Sequence, residues 1–390
     1  MQTQARATRL VNVVCSGDHR VMGFIQGQTL RSKIFAAGTA LERLESFRLE
    51  QPWWLPYAAF LRLSEWRAER ALAGPLARDF PRIRERLDAL AEGSGIRRGT
   101  VYLLNAVESL LSAVRDHCVV PPPGACSAVA VRGSRSATGE PIIAKNFDYL
   151  PLVQPFYTLR ESRPADGLGS LDFTVAPLAG SVDGINEAGL CITNNYAFTV
   201  ETSPATATVS MVIAEALEKC STVTEAAEWI AARPRWGAGL LMMADASGDI
   251  ASLELSSTRC RLRRPASGED ILFHTNAFST TEMREVQVPW DSVFTDRAPV
   301  NLRGTRLHES AELRDARLLE LLNRPGTYGP DELAALMADH GPNDEPGENT
   351  LCVHSDYWYT TACLQFFPAH RRLRVDFETA CRANFQELEL

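Results

Sequence analysis

Cysteine is the residue type in this sequence best placed to do chemistry, and one of the nine stands apart by its surroundings. Cys126 follows Pro121-Pro122-Pro123-Gly124-Ala125 and opens the run Ser127-Ala128-Val129-Ala130-Val131. Three prolines forbid helix and force an extended approach. The thiol is therefore expected at the first residue of a strand, where a backbone can bend and be cut. Cleavage between Ala125 and Cys126 would leave one residue holding both a thiol and a free α-amine. Such an amine has an unperturbed pKa of about 7.7 to 8.0, suits a general base at neutral pH, and needs no separate histidine. Attack of the thiol on the Ala125 carbonyl would let the precursor cut itself, with Gly124 and Ala125 small enough to tolerate the strained backbone.

The residues downstream read as a hairpin: a strand to Val131, a turn rich in Gly and Ser, then a strand from Pro141 to Phe147. A turn centred near Ser136 predicts that Cys126 faces Asn146, with Asp148 just beyond. Thiol, amide and carboxylate would then converge. The same residues also fit a buried strand cysteine beside an unrelated Asn and Asp, and the local pattern by itself leaves both readings open. Other motifs fail: there is no GxxxxGK[ST], no GxGxxG after a strand, no HExxH and no GxSxG. His117-Cys118 and Cys352-Val353-His354 bring soft ligands close without tetrahedral metal spacing, so no metal is expected.

The elements that must position these residues change character near residue 120. Before it, helical periodicity dominates, in the Leu41, Leu44, Phe47, Leu49 stripe and in Phe80 to Leu90 and Val101 to Val114, after a short extended segment, Thr8 to Cys15. After it come strands separated by turns: Leu171 to Ala176, Leu190 to Asn194, Leu240 to Ala244, Ile250 to Leu255, Arg259 to Arg263, Ile271 to His274, Thr361 to Phe367 and Leu373 to Phe377. Helices are expected over Met211 to Ala232, Leu307 to Leu322 and Pro330 to Ala338. Runs of strands with helices grouped between them describe an α+β layered protein rather than alternating βαβ units.

Composition sets outer bounds. The 390 residues are 45% hydrophobic and 23% charged, an ordinary globular mixture. Forty basic against 48 acidic residues give a net charge of −8, which offers no basic footprint for nucleic acid or an anionic membrane. No apolar run approaches the roughly 18 to 20 residues of a spanning helix, and the start lacks an apolar signal segment, so a cytoplasmic protein is expected. An odd number of scattered cysteines without CxxC suggests buried thiols rather than a disulfide scaffold.

Motifs in order along the chain resemble those of the acyl-coenzyme A:6-aminopenicillanate acyltransferase family (isopenicillin N acyltransferase-like, peptidase family C45). That family lies within the Ntn hydrolases, with choloylglycine hydrolases as cousins. Gly23-Phe24-Ile25-Gln26-Gly27 resembles its early G-x-x-x-G segment and Leu104-Asn105-Ala106-Val107-Glu108 its helix motif. Cys126-Ser127 and Asn146-Phe147-Asp148-Tyr149 resemble its nucleophile and return strands. Gly184 to Leu190, His274 to Phe278, Ser310 to Leu322 and the late Asp339-His340 with Leu351-Cys352-Val353-His354 follow in family order.

The resemblance implies an αββα four-layer sandwich with a mainly helical N-terminal segment. Residues 1–125 would form the α chain and 126–390 the catalytic β chain, which stay associated after cleavage as one unit. It carries Cys126 over as the nucleophile, Asp148 as the carboxylate near it and Asn276 as the side-chain donor of an oxyanion hole. Arg314 matches the family's late arginine with a one-residue offset, leaving Arg317 or a surface salt bridge open. Asn146, Lys145, Asn194 and Asn195 are candidates for substrate, oxyanion or supporting contacts, while Asp339, His340, Cys352 and His354 are read as structural. Lys145 stands where choloylglycine hydrolases carry a catalytic arginine, so a bile salt is not implied.

The expected activity is hydrolysis or exchange of a small amide through a Cys126 thioester, with a small acyl donor and an amine acceptor as partners. No cofactor is expected, acyl-coenzyme A entering only as a donor substrate. Three other readings stay open: an acyl-CoA-dependent N-acyltransferase of secondary metabolism, a papain-like pairing of Cys352 or Cys126 with His354, and a non-catalytic binding protein of the same fold.

Overall fold

A computed structural model describes residues 11–112 and 124–390. The proline run, His117-Cys118, the end of the helix expected to Val114 and the start of the segment expected from Thr8 lie outside the described residues. Six helices lead the chain: α1 (His19–Thr29), α2 (Arg31–Ala40), α3 (Glu45–Leu49), α4 (Tyr57–Asp79), α5 (Pro81–Ser94) and α6 (Arg98–Ser112). Strand β1 (Val13–Gly17) precedes them. Local chemistry sets several ends. Asp18 caps α1 by accepting from the Val21 N–H, while Pro81 opens α5 and Gly95, at φ 67°, closes it.

Two sheets follow. One has eight strands in the order β1, β4 (Tyr157–Pro164), β5 (Ser170–Val175), β6 (Asp183–Asn186), β7 (Cys191–Tyr196), β8 (Gly239–Ala244), β9 (Ile250–Leu255), β10 (Cys260–Arg263). The other has six, in the order β11 (Ile271–His274), β2 (Ala125–Val131), β3 (Ile142–Tyr149), β12 (Tyr359–Phe367), β13 (Arg372–Asp376), β14 (Gln386–Glu389). Alternation along each strand sends one set of side chains between the sheets, including Cys126, Ala128, Ile143, Phe147, Phe173, Ile185, Met242 and Leu364. The other set meets helices. α7 (Val209–Lys219) and α8 (Val223–Ala231) join the N-terminal helices over the larger sheet. α10 (Glu309–Leu322) and α11 (Pro330–Met337) cover the smaller one, after the short α9 (Thr281–Arg284). Helices, sheet, sheet, helices make the αββα sandwich.

β1 belongs to the larger sheet through parallel pairing with β4, so the helical N-terminal segment and the strand-rich remainder share one core. Two expectations need correction. The helix expected over Met211 to Ala232 is two helices, because Cys220-Ser221-Thr222 breaks it and Thr222 recaps α8 by accepting from the Glu225 N–H. The hairpin register is one residue off: Cys126 pairs with Phe147, Ser127 with Asn146 and Ala125 with Asp148. Its connection contains a helical turn, Gly133–Arg135, held by Asp270, so the turn is not symmetric about Ser136. A one-residue slip turns every side chain to the opposite face.

The Gly23-x-x-x-Gly27 motif turns out to be a packing device. α1 crosses α5 so closely that a Cβ on Gly27 would stand 2.3 Å from the Leu90 carbonyl oxygen, and one on Gly23 the same distance from that of Arg86. Any larger residue must drive the two helices apart. Gly27→Ala is expected to lower stability by about 1–3 kcal/mol, the usual cost of overpacking. A denaturant midpoint equal to the parent's would show that the crossing is not tight.

Candidate active site

Strand alternation places Cys126 on the inner face of β2 and Ser127 on its outer face. Lys145, Phe147 and Tyr149 share the inner face of β3, and Asn146 and Asp148 the outer. The Lys145 ammonium, wholly buried, crosses to the larger sheet, donating to Asp183 Oδ1 at 2.6 Å and to the Asn194 carbonyl at 2.5 Å. The Asn194 N–H donates to the same Asp183 oxygen. Burial pushes the Cys126 thiol up to about 12, opposed by the positive charge of Lys145 and raised further by Asp148. In this uncut chain the sulfur is a neutral thiol, and among the described residues no histidine is one of the groups acting on it.

A second cation lies on the outer face. Arg314, with its side chain 1% exposed, projects from α10 beneath β2. Its guanidinium donates to the Cys126 carbonyl at 2.6 Å, Ser127 Oγ at 2.9 Å, Asn276 Oδ1 at 2.9 Å and Ser310 Oγ at 3.1 Å. Asn276 Oδ1 also accepts from the Cys126 backbone N–H at 3.0 Å, while Nδ2 donates to the Tyr196 carbonyl at 2.9 Å. Asn276 therefore holds the backbone nitrogen of Cys126. Asp148 stands 3.9 Å from Arg314 and accepts a 2.6 Å hydrogen bond from Thr360. Its burial raises the carboxyl to about 6 against the pull of Arg314 and the Thr360 bond.

The expected convergence is thus partly met. Cys126, Asn276, Asp148 and Arg314 gather around one stretch of β2, and Lys145 stands on the same face as the Cys126 side chain. Asn146 does not join them, since the shifted register points it outward, where Nδ2 donates to the carbonyls of Met337 and Leu351. Asn194 lines the cavity beside Cys126, whereas Asn195 turns away and donates to the Thr275 carbonyl. Of the two arginines left open, Arg314 is buried beneath β2, whereas Arg317 pairs with Asp339 and Glu320 at the helix surface. Gly124, before the bond expected to be cut, has φ 130°, a conformation glycine adopts without Cβ strain.

Cys126 and Phe147 line a cavity of about 160 Å³ together with Leu41, Leu104, Tyr196 and Trp236. Its walls are mainly apolar. Among its polar groups, Asn194 Oδ1 is buried without a hydrogen-bond partner among the described residues. Glu108, from α6, is another: burial raises its carboxyl to about 7, while a hydrogen bond from Tyr149 and the charge of Lys145 lower it. Glu108 was legible only as a motif residue. Asp183, inside the short run Val182 to Ile185, was missed although an acid within an apolar run is itself a signal of a buried partner.

Residues 135–327 match the family model described as acyl-coenzyme A:6-aminopenicillanic acid acyl-transferase. The resemblance read from the motifs holds there. The stretch includes Lys145, Asp148, Asn194, Asn276 and Arg314 and begins after Cys126. It supports an enzyme of the acyl-transferase kind. No curated protein matches the chain. Among solved structures, an N-acylethanolamine-hydrolyzing acid amidase ortholog of Caenorhabditis elegans is similar at TM-score 0.42 and 14% identity, over 68% of this chain and 100% of that one. A mutant conjugated bile acid hydrolase from Clostridium perfringens reaches 0.39 at 12% identity, over 68% and 92%. Penicillin V acylase from Agrobacterium tumefaciens reaches 0.38 at 14%, over 68% and 86%. Among the described residues, no helix is long and apolar enough to cross a membrane.

Two expectations follow from this geometry. Arg314→Lys keeps the charge but loses the planar fork, and should lower enzymatic turnover roughly 10- to 100-fold, the worth of one charge-assisted hydrogen bond. Arg317→Met should leave turnover near the parent's; equal losses in steady-state assays would refute the assignment. Glu108 concerns pH. Its folded pKa lies above the ordinary value of 4.5, so the folded chain binds the extra proton, and stability present below pH 4.5 is lost as pH rises towards about 7. Glu108→Gln should be more stable than the parent above pH 7 and no more stable below pH 4.5, as thermal melts across pH would reveal.

Proposed function

We propose that the protein is a self-processing amidohydrolase and acyltransferase with Cys126 as an N-terminal nucleophile. The observation that carries the reading is the Cys126 nitrogen held at 3.0 Å by Asn276 Oδ1, next to a thiol that opens on an apolar cavity. Processing would begin with attack of Cys126 Sγ on the Ala125 carbonyl. A carbon–sulfur bond forms, the Ala125–Cys126 carbon–nitrogen bond breaks, and the freed nitrogen takes a proton to become an amine. Water then cleaves the thioester, leaving a carboxylate on Ala125 and returning the thiol.

In the mature enzyme the α-amine would take the thiol proton as the sulfur attacks the acyl carbonyl of substrate. That proton passes to the departing amine, and the acyl group stays on sulfur as a thioester. Asn276 gives one Nδ2 hydrogen to Tyr196, leaving the second for the oxyanion, and Oδ1 keeps the α-amine in place. Lys145 supplies positive charge beside the sulfur, which favours the thiolate. Asp148, with Thr360 and Arg314, would steady the charge that forms on the amine.

The apolar walls suit a hydrophobic acyl group, and Asn194 Oδ1 suits the N–H of the scissile amide. Water or a second amine would complete the cycle. An amine can compete with water of about 55 M only if the site holds it at high effective molarity. Because the described walls are mainly apolar and suit the acyl part of an N-acyl amine, we favour an N-acyl amidase capable of transfer over an enzyme restricted to acyl-coenzyme A.

The experiment joins processing to turnover. The parent should give two fragments in intact-mass analysis, with Cys126 at the new N-terminus, and Cys126→Ala one unbroken chain. A single-chain parent that is fully active would overturn the proposal. Asn276→Ala should process and fold yet lose about two orders of magnitude in kcat, as removal of one oxyanion donor does. Product analysis with increasing amine then reports how the thioester divides between free acid and new amide.

A further inference from the structure

We propose a structural zinc site formed by His340, Cys352, His354 and Cys381, apart from the Cys126 cavity. One donor atom from each lies within 4.8 Å of all the others. Cys352 Sγ is 3.3 Å from His354 Nε2, and Cys381 Sγ is 3.6 Å from the same nitrogen. A tetrahedral zinc with bonds of about 2.3 Å to sulfur and 2.0–2.1 Å to nitrogen would separate its donors by roughly 3.3 to 3.8 Å. Both measured separations fall in that range, so small side-chain movements would complete the shell.

A second observation points to a ligand. His340 has a side chain only 10% exposed, and its Nε2 is buried without a hydrogen-bond partner among the described residues. Its Nδ1 meets Asp344 Oδ1 at 3.2 Å, the carboxylate support that commonly orients a metal-binding imidazole. Asp344 adopts φ 54°, a conformation Asp tolerates better than most residues. Two thiolates and two neutral imidazoles match the charge and softness of zinc and fill four positions. Such a closed shell leaves no place for a catalytic water, so the role is structural.

The site would pin loops to the catalytic carboxylate. The Cys352 N–H donates to the Asp339 carbonyl, and the His354 N–H to that of Gly347. Val353, between two of the ligands, donates its N–H to Thr360 Oγ1, which donates to Asp148. Sequence spacing hid this set, because the four residues come from the loop after α11, the approach to β12 and the turn after β13.

The test is elemental analysis of the full chain, purified under reducing conditions without added metal or after equilibration with zinc and removal of excess. About one zinc per chain is expected, and its loss on chelation should lower the melting temperature. His340→Ala and Cys381→Ser should each lose the metal, while Cys363→Ser should keep it. Should those variants fold poorly, cobalt added to the metal-free parent gives an independent readout: intense tetrahedral d–d bands with thiolate-to-cobalt charge transfer. Less than a tenth of an equivalent after zinc equilibration, cobalt spectra of octahedral water-ligated type, or metal retained by both ligand variants would overturn the proposal. A Cys352–Cys381 disulfide surviving the reductant, found by peptide mass, would overturn it as well.

Discussion

A single buried ammonium ties the two sheets together where the chemistry is expected. Lys145 leaves the smaller sheet, and the carboxylate and carbonyl that receive it, Asp183 and Asn194, belong to the larger one. A charge with no access to water must have a partner, and removing one member of such a pair commonly costs about 3–5 kcal/mol. The pair therefore constrains the spacing and register of the sheets around Cys126. It also places a positive charge near a thiol that burial would otherwise keep protonated.

Strand β2 lies between two cations because its alternation offers a different face to each. Lys145 serves the face of Cys126, while Arg314 reaches from α10 to the opposite face and binds the Cys126 carbonyl, Ser127 and Asn276. The backbone of Cys126 is consequently held from outside while its side chain lines the cavity. This division suits the proposed role of Cys126, in which the sulfur reacts while the nitrogen stays in place. Asp148 lies on the outer face with Arg314, so its influence on the inner face is electrostatic and through the backbone.

The cavity combines apolar walls with a few polar atoms that have strong preferences. Glu108 and Asn194 offer polar atoms to a ligand, while Leu41, Leu104 and Trp236 present mainly apolar surface. N-terminal helices and β strands both contribute to this lining. Helices α2 and α6 therefore shape the proposed binding space, even though the reacting groups come from the strand-rich part of the chain. The close glycine crossing of α1 on α5 holds the same helical layer compact.

Much of this was legible in the residues themselves. Helical periodicity located α5, α6 and α10, alternation located most strands, and prolines followed by small residues marked Cys126 before any partner was known. These are local properties, set by backbone sterics and by which side chains avoid water within one element. What the tertiary structure decided depends on pairing between elements. A helical turn in the β2–β3 connection shifted the register by one residue, sending Asn146 outward and Lys145 inward. The fold buries Arg314 against β2 and leaves Arg317, the alternative in the same helix motif, paired at the helix surface. His340, Cys352, His354 and Cys381 carried no recognisable spacing, because their proximity arises from loops that meet only when β12 joins β3 and β13 turns back beside it.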